Sequence, residues 1–240
     1  MQLENIVIDA VEPKALGAFW RDALGAETLS WEDELVEVRL SIPSGPVLDI
    51  CLPRIPEIDN SSPRAHLDLA GGAERDAVVE RLLALGATRL DIGQGTVPWV
   101  VLADPESNPF CVMEFRPEYA DSGPIAGVPI DSADPERDAQ FWSALVGWEP
   151  CAGIVPSLRH PSGRGPLLEF CPELGPKTGK NHLHLDVRTP AEMTMGDAVA
   201  RALALGAWEV DHEWDVPWTI LADPSGNEFC ILPPEASEGA

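Results

Sequence analysis

The chain has 240 residues, with 40 acidic and 16 basic side chains and a formal net charge of −24. This charge disfavours binding to nucleic acid or to an anionic membrane, because both need a positive surface. The sequence also lacks the run of roughly 20 apolar residues that spans a membrane, and its first residues lack the basic start and apolar core of a signal peptide.

The first half of the chain predicts two successive βαβββ units. A strand is expected at 3–10 and a helix at 13–24, where Leu16, Phe19 and Ala23 recur on one face of a 3.6-residue period. The remaining predicted elements are strands near 27–31, 35–41 and 47–52, a Pro-rich loop at 53–63, a strand at 65–70, a helix at 74–85, and strands at 88–92, 99–103 and 110–115.

Residues 124–234 repeat the same order of elements. The clearest repeat is a hairpin at 97–112 and again at 216–231, in which two apolar runs flank an Asp-Pro turn. We therefore predict two domains at 1–118 and 124–234, joined by a linker at 119–123 and followed by a tail at 235–240.

The cysteines also follow the repeat. Cys51 matches Cys171, Cys111 matches Cys230, and Cys151 has no cysteine partner. Matching places in two repeats indicate buried core positions more than disulfide partners, and an odd number without a CxxC pair indicates a reducing cytoplasm.

Together these motifs resemble a known superfamily. Four βαβββ units, the Phe-Trp pairs in two helices, the repeated His-Leu-Asp and the repeated Leu-Ala-Asp-Pro-x-x-Asn-x-Phe-Cys are similar to the vicinal oxygen chelate superfamily, in particular its glyoxalase-like and bleomycin-resistance-like members. The resemblance implies an α+β tandem fold, with four βαβββ units forming two curled mixed β-sheets and helices outside. It does not fix an activity, because this superfamily includes lyases, isomerases, dioxygenases and plain drug-binding proteins.

In that superfamily the metal ligands stand on the first, fourth, fifth and eighth strands of a cup. The matching positions here are Asn5, Asp49, His66 and Glu114 in the first domain, and Gly127, Glu169, His184 and Pro233 in the second. If each domain closes its own cup, His66 and Glu114 would share a site with Asp49, and if the domains exchange halves, with Glu169. One divalent ion (Zn, Mn, Fe or Ni) would suit such a set, and a metal-free polar pocket is the alternative.

His66 and Glu114 fall together in both schemes and are therefore the predicted catalytic pair. A His-x-Asp strand such as His66-Leu67-Asp68 also fits a simple buried pair, since both side chains lie on one face. His182, His184 and Asp186 alternate in the same way, but no further ligand for a second metal site is evident in the second domain.

The predicted substrate-binding residues are Trp99, Trp218 and Asn5. Asn5 takes the first-strand position where the superfamily has a His, and the tryptophans, together with Trp31 and Trp214, would form an aromatic wall for a flat ligand.

Two functions remain open. The first is a metal-dependent lyase or isomerase acting on a small oxygenated metabolite. The second is a non-catalytic protein that sequesters a drug or metabolite, for which the charge of −24 favours a cationic ligand. Because two domains in one chain supply a pair of cups, we expect a monomer or a homodimer.

Overall fold

The computed structural model describes residues 1–57, 62–173, 175–212 and 216–235. Trp214 and residues 236–240 of the predicted tail lie outside these ranges. The helices are Pro13–Leu24 (α1), Arg75–Ala84 (α2), Pro135–Val146 (α3) and Met195–Leu205 (α4). The strands of the first half are Gln2–Ile8 (β1), Glu27–Trp31 (β2), Leu35–Ser41 (β3), Val47–Pro53 (β4), Asp68–Gly72 (β5), Thr88–Arg89 (β6), Val100–Ala103 (β7) and Pro109–Glu114 (β8). Those of the second half are Ile125–Ser132 (β9), Glu149–Cys151 (β10), Ser157–Arg159 (β11), Leu167–Pro172 (β12), Leu183–Arg188 (β13), Trp208–Glu209 (β14), Thr219–Ala222 (β15) and Glu228–Leu232 (β16).

The strands form two mixed sheets, and each sheet takes one βαβββ unit from each half of the chain. Sheet I has the order β14-β15-β16-β13-β1-β4-β3-β2, and sheet II has the order β10-β11-β12-β9-β5-β8-β7-β6. Antiparallel pairing of β1 with β13 joins the halves in sheet I, and β5 with β9 does so in sheet II. Of the two arrangements that the sequence left open, the chain therefore adopts the exchange of halves.

Local signals place the helix ends where the sequence predicts them. Pro13 opens α1 at a position whose N–H has no helical partner, and Gly25 ends it with φ of 64°. The Asp134 side chain accepts a hydrogen bond from the backbone N–H of Arg137 and caps α3. The predicted strand at 65–70 starts later, at Asp68, because Ala65 makes only an isolated bridge to β9.

The helices pack on one face of the sheets through a repeated aromatic contact. In the first half Trp20 of α1 meets Phe110 of β8 at 5.3 Å between ring centroids, and its Nε1 donates to Asp104 Oδ2 at 3.2 Å. In the second half Trp142 of α3 meets Phe229 of β16 at the same distance of 5.3 Å. These rings are buried, which confirms the helical tryptophans as core residues. Each half is thus held together by its helices, and the two halves are joined by their sheets.

The opposite face of each sheet carries the side chains that alternate with the core. We call this face cup I in sheet I and cup II in sheet II. No helix among the described residues is both long and apolar enough to cross a membrane.

Candidate functional site

Cup I contains an open cavity of about 1150 Å³. Its floor is formed by side chains from four adjacent central strands, among them Asn5 of β1, Cys51 of β4, His184 and Asp186 of β13 and Cys230 of β16. The register explains why they meet, since Asn5 lies opposite Asp186, and Asp186 lies beside Cys230. Side chains two apart on a strand share a face, which brings His184 to the same floor.

Three of these side chains form a compact group of possible ligands. His184 Nε2 lies 3.5 Å from Asp186 Oδ1 and 3.6 Å from Cys230 Sγ, and the three donor atoms lie within 4.8 Å of one another. Asn5 Nδ2 donates to Asp186 Oδ2 at 3.0 Å and so orients the carboxylate. Asp186 Oδ1 and His184 Nδ1 are buried without a hydrogen-bond partner in the structure. An unpartnered buried carboxylate oxygen is costly, so it points to a ligand at this place.

Burial controls the protonation of the group. Desolvation, with a smaller contribution from Lys180, lowers the pKa of His184 to about 3, so the imidazole is neutral at neutral pH. Burial raises the pKa of Asp186 to about 6 against the hydrogen bond from Asn5. Burial, and then the charge of Asp186, raise the pKa of the Cys230 thiol, so it keeps its proton in the absence of a positive partner.

The chemistry of this group fits a divalent transition metal. Imidazole nitrogen, carboxylate oxygen and thiolate sulfur are the donors that Zn²⁺ and related ions take, and a neutral imidazole is the form that ligates. A metal would give Asp186 Oδ1 the partner that it lacks, and its charge would favour loss of the Cys230 proton. His184 Nδ1 has no carboxylate or carbonyl partner of the kind that often orients a ligating histidine.

The predicted residues of cup I occupy different positions relative to this group. Asn5 lies on the cavity floor, and Trp218 lines the cavity with 38% of its surface exposed. Asp49 instead accepts from Arg39 with both oxygens, at 2.8 and 2.7 Å. Trp31 packs against the core on the helix side. Asp49 therefore lies in sheet I, away from His66, and its carboxylate is held by the ion pair with Arg39.

Cup II holds the equivalent trio and the rest of the predicted ligands. His66 Nε2 lies 3.3 Å from Asp68 Oδ1, and these two residues group with Cys111 as possible ligands. Asp68 Oδ1, like Asp186 Oδ1 in cup I, is buried without a hydrogen-bond partner. Burial lowers the pKa of His66, but its contact with Asp68 and the nearby carboxylates outweigh this and raise it. Glu169 Oε1 and Oε2 both lie 3.3 Å from the hydroxyl of Tyr119, which donates to them.

Glu114 pairs with a neighbour in the chain. Its Oε1 accepts from Arg116 Nε at 2.6 Å, and the Arg116 guanidinium lies 5.6 Å from the centre of the Trp99 ring and 5.5 Å from that of Tyr119. The group of donor atoms around His66 includes Asp68 and Cys111 and does not include Glu114. The structure therefore places Glu114 in sheet II and His66 just before β5 of that sheet, without joining them in that group.

Cup II is covered in part by the protein's own side chains. A buried apolar cluster occupies its face, formed by Val101, Cys111, Met113, Tyr119, Ala126 and Leu167. Tyr119 comes from a 3-10 turn, Pro117–Tyr119, in the segment between the halves, and is 8% exposed. Sequence reasoning pointed to the cup of His66 as the working one, whereas the large cavity lies in cup I.

Sequence reasoning missed Cys111 and Cys230 as members of these groups. Both are buried, as predicted, but they face the cups and not the helix-side core. The signal was present in the sequence, because Phe110 and Phe229 precede them and pack in the core, so the next residue must point to the other face. Cys230 is also a possible third ligand beside His184 and Asp186, where the sequence suggested none.

Comparisons with known proteins agree with this architecture. The model of the family described as "Glyoxalase-like domain" matches residues 5–113 and again 127–232. Glyoxalase I from Zea mays has a similar structure, with a TM-score of 0.64, 14% sequence identity, and coverage of 97% of this chain and 92% of that chain. A putative dioxygenase from Bacillus subtilis is also similar, with a TM-score of 0.57, 14% identity, and coverage of 99% and 86%.

At these identities the structural likeness shows the fold alone. A search of curated proteins gave no match. The family model covers most of the chain in two copies, one in each half. This agrees with the repeat in the sequence and with the two equivalent sheets. The chain therefore belongs to the glyoxalase-like domain family, with two tandem copies of the domain.

Proposed function

We propose that this protein is a metal-dependent lyase or isomerase that acts on a small oxygenated metabolite in cup I. The observation that carries the proposal is the cavity of about 1150 Å³ with the unpartnered Asp186 Oδ1 on its floor, beside an imidazole and a thiol. His184, Asp186 and Cys230 would hold the metal. A divalent ion in such a place polarises substrate oxygens as a Lewis acid.

The other residues of cup I support this chemistry. Asn5 fixes Asp186 through Oδ2, so Oδ1 keeps one direction beside His184. In this proposal cup II serves mainly structure, and His66, Glu114 and Glu169 support its packing.

Metal content tests the proposal directly. The wild-type protein is purified without chelator or affinity-tag metal and analysed for metal by elemental analysis, together with His184→Ala and Cys230→Ser. His66→Ala is the matched control, because His66 holds the equivalent place in cup II. We expect near-stoichiometric metal in the wild type and in His66→Ala. The two cup I variants should retain little metal after purification, because their metal affinity should fall at least tenfold.

Two results would overturn the assignment. One is a wild-type protein that takes up no metal even on titration with Zn²⁺, Mn²⁺, Fe²⁺ and Ni²⁺. The other is equal metal loss in His66→Ala and His184→Ala, which would remove the preference for cup I.

A second candidate function is binding without catalysis. It is favoured by the side of the cavity formed by Val216, Trp218, Ile220 and Leu232, an apolar wall suited to holding a flat ligand. The test is a ligand that quenches Trp fluorescence in the metal-loaded wild type. If this ligand is recovered chemically unchanged, the result favours binding over catalysis. For either function we propose a cytoplasmic location, since all five cysteines are free thiols.

A further inference from the structure

We propose that cup I selects an organic cation, with an ammonium or guanidinium group held by Glu37 and an apolar body directed toward the wall of Trp218. The inference rests on the proposed function in one respect only, that the cavity of cup I is the ligand site. It adds the chemical class of the ligand and the residue that recognises it.

The cavity lining is unbalanced in charge. Its residues include seven carboxylates and three cations, the cations being Arg54, Lys180 and Arg188. Each of the three is already paired with a carboxylate. Arg54 lies 3.4 Å from Glu34. Lys180 lies 2.6 Å from Asp9, and Arg188 pairs with Glu4. The lining therefore has a surplus of negative charge that its own cations do not neutralise.

Glu37 of strand β3 lines the cavity and carries one of these surplus negative charges. Its Oε2 accepts from the Ser30 hydroxyl at 3.0 Å, and its Oε1 accepts from Cys51 Sγ at 3.6 Å. Both donors are uncharged, since burial and the charge of Glu37 raise the pKa of Cys51 and keep it a thiol. Among the described residues no ion pair includes Glu37, so its charge is oriented but not compensated.

A second observation points the same way. Asp186 is 7% exposed, lines the same cavity and has an oxygen without a partner. A buried carboxylate in this state favours a positive ligand. If a metal satisfies Asp186, Glu37 still keeps its charge, because three strand spacings separate it from His184 along the row Glu37, Cys51, Val7, His184. At about 4.8 Å per spacing this is roughly 14 Å between Cα atoms.

The opposite side of the cavity includes an apolar part. Beyond His184 and Cys230 the floor leads to Ile220 and Trp218 of the next strand and loop, which line the cavity. The cavity thus has an acidic side at β3, the possible metal ligands in the middle and an aromatic side at β15. An elongated molecule with a cationic end and an apolar end matches this order, and its middle would lie over the floor.

The test compares three probes with the same body and different heads. They are 8-phenyloctylammonium, 8-phenyloctanol and 9-phenylnonanoate, titrated by isothermal titration calorimetry into wild-type protein with and without added divalent metal. We expect the ammonium to bind at least tenfold more tightly than the alcohol, the carboxylate to bind weakest, and the ammonium's advantage to shrink in 0.5 M salt.

Variants then assign the effect to Glu37. Glu37→Gln should lower the affinity for the ammonium about tenfold and leave that for the alcohol unchanged. Glu149→Gln removes the same charge from an exposed position on β10 of sheet II and should change neither. A thermal melt of Glu37→Gln, with Glu37→Asp as a second variant that keeps the charge, checks that lost binding does not reflect unfolding.

The outcomes separate this inference from the proposed function. Equal affinity for ammonium and alcohol, no binding of any probe, or equal effects of Glu37→Gln and Glu149→Gln would overturn the cation assignment. Metal content is measured on the same samples. Metal at the cup I group with no preference for the cation would leave the proposed function standing, and cation-selective binding without metal would leave this inference standing alone.

Discussion

The packing of cup II makes a specific prediction for Glu169→Gln. Glu169 is 5% exposed, and both of its oxygens lie near the Tyr119 hydroxyl. Burial, followed by the charge of Asp68, raises the pKa of Glu169 from 4.5 to about 7. Glutamine has nearly the same shape and can still accept from Tyr119, so the substitution removes the titration and keeps the contact.

The direction and size of the pH effect on stability follow from the raised pKa of Glu169. The folded protein holds the Glu169 proton more tightly than the unfolded chain, so this contribution to stability is complete below pH 4.5 and is lost as the pH rises through about 7. The full difference corresponds to about 3 kcal/mol. Because the sequence pI is about 4.3, the accessible range begins near pH 5.5. Between pH 5.5 and 8.5 the expected loss from Glu169 is about 2 kcal/mol.

Urea unfolding measures the effect. Wild type, Glu169→Gln and the exposed control Glu149→Gln are unfolded at several values between pH 5.5 and 8.5 in the presence of a chelator. The free energy of unfolding of Glu169→Gln, relative to wild type, should rise by about 2 kcal/mol across this range, while that of the control stays parallel to wild type. A constant difference between Glu169→Gln and wild type would refute the burial argument.

Three further predictions concern packing, and each is checked by urea or thermal unfolding. Gly127→Ala should destabilise by about 1–3 kcal/mol, since its Cβ would lie 2.4 Å from Glu169 Oε2, and an unchanged midpoint would show that this side chain moves freely. Arg64→Ala should cost about 3 kcal/mol, because the buried guanidinium donates to one amide side chain and two carbonyls, and a loss below about 0.5 kcal/mol would contradict this. Trp142→Phe should cost about 2 kcal/mol by leaving Asp223 Oδ2 without its indole donor, and wild-type stability would argue that this bond contributes nothing.

The elements that the sequence predicted well depend on local chemistry. The hairpin of β7 and β8 turns where Asp104 Oδ1 accepts from the backbone N–H groups of Glu106 and Asn108, all within five residues. Helix α1 begins at Pro13 and ends before Gly25 for equally local reasons. Such signals act within one turn, so they are legible without knowledge of the rest of the fold.

Local sequence signals do not predict which βαβββ units pair in one sheet. Alternation along β1 shows that Asn5 and Val7 share a face, but not that their partners are Asp186 and His184 of β13. Strand partners far apart in the chain are chosen by the whole arrangement of core and edges, which a local pattern does not contain. For this reason the sequence left two cup arrangements open, and with them two sets of ligands.

For a related reason the sequence predicted only some residues of the candidate site. His66, His184 and Asp186 stood out because the His-Leu-Asp motif occurs twice, whereas Cys111 and Cys230 were interpreted as core thiols. Burial is a property of both core and site cysteines, so the face of the strand that each thiol occupies must distinguish them. Once the sheets are known, the register of Asp186 beside Cys230 settles which face the thiol occupies.

The difference between the two cups follows from the connection between the halves. The linker leaves β8 and enters β9, and in sheet II these strands flank β5. The whole connecting segment, residues 115–124, must therefore cross the end of β5, and its residues Arg116 and Tyr119 contact Glu114 and Glu169 in cup II. Sheet I contains neither β8 nor β9, so this crossing cannot fill cup I. A duplicated domain with exchanged halves thus makes its two cups unequal through one linker, and the cavity of about 1150 Å³ lies in the cup that the linker does not cross.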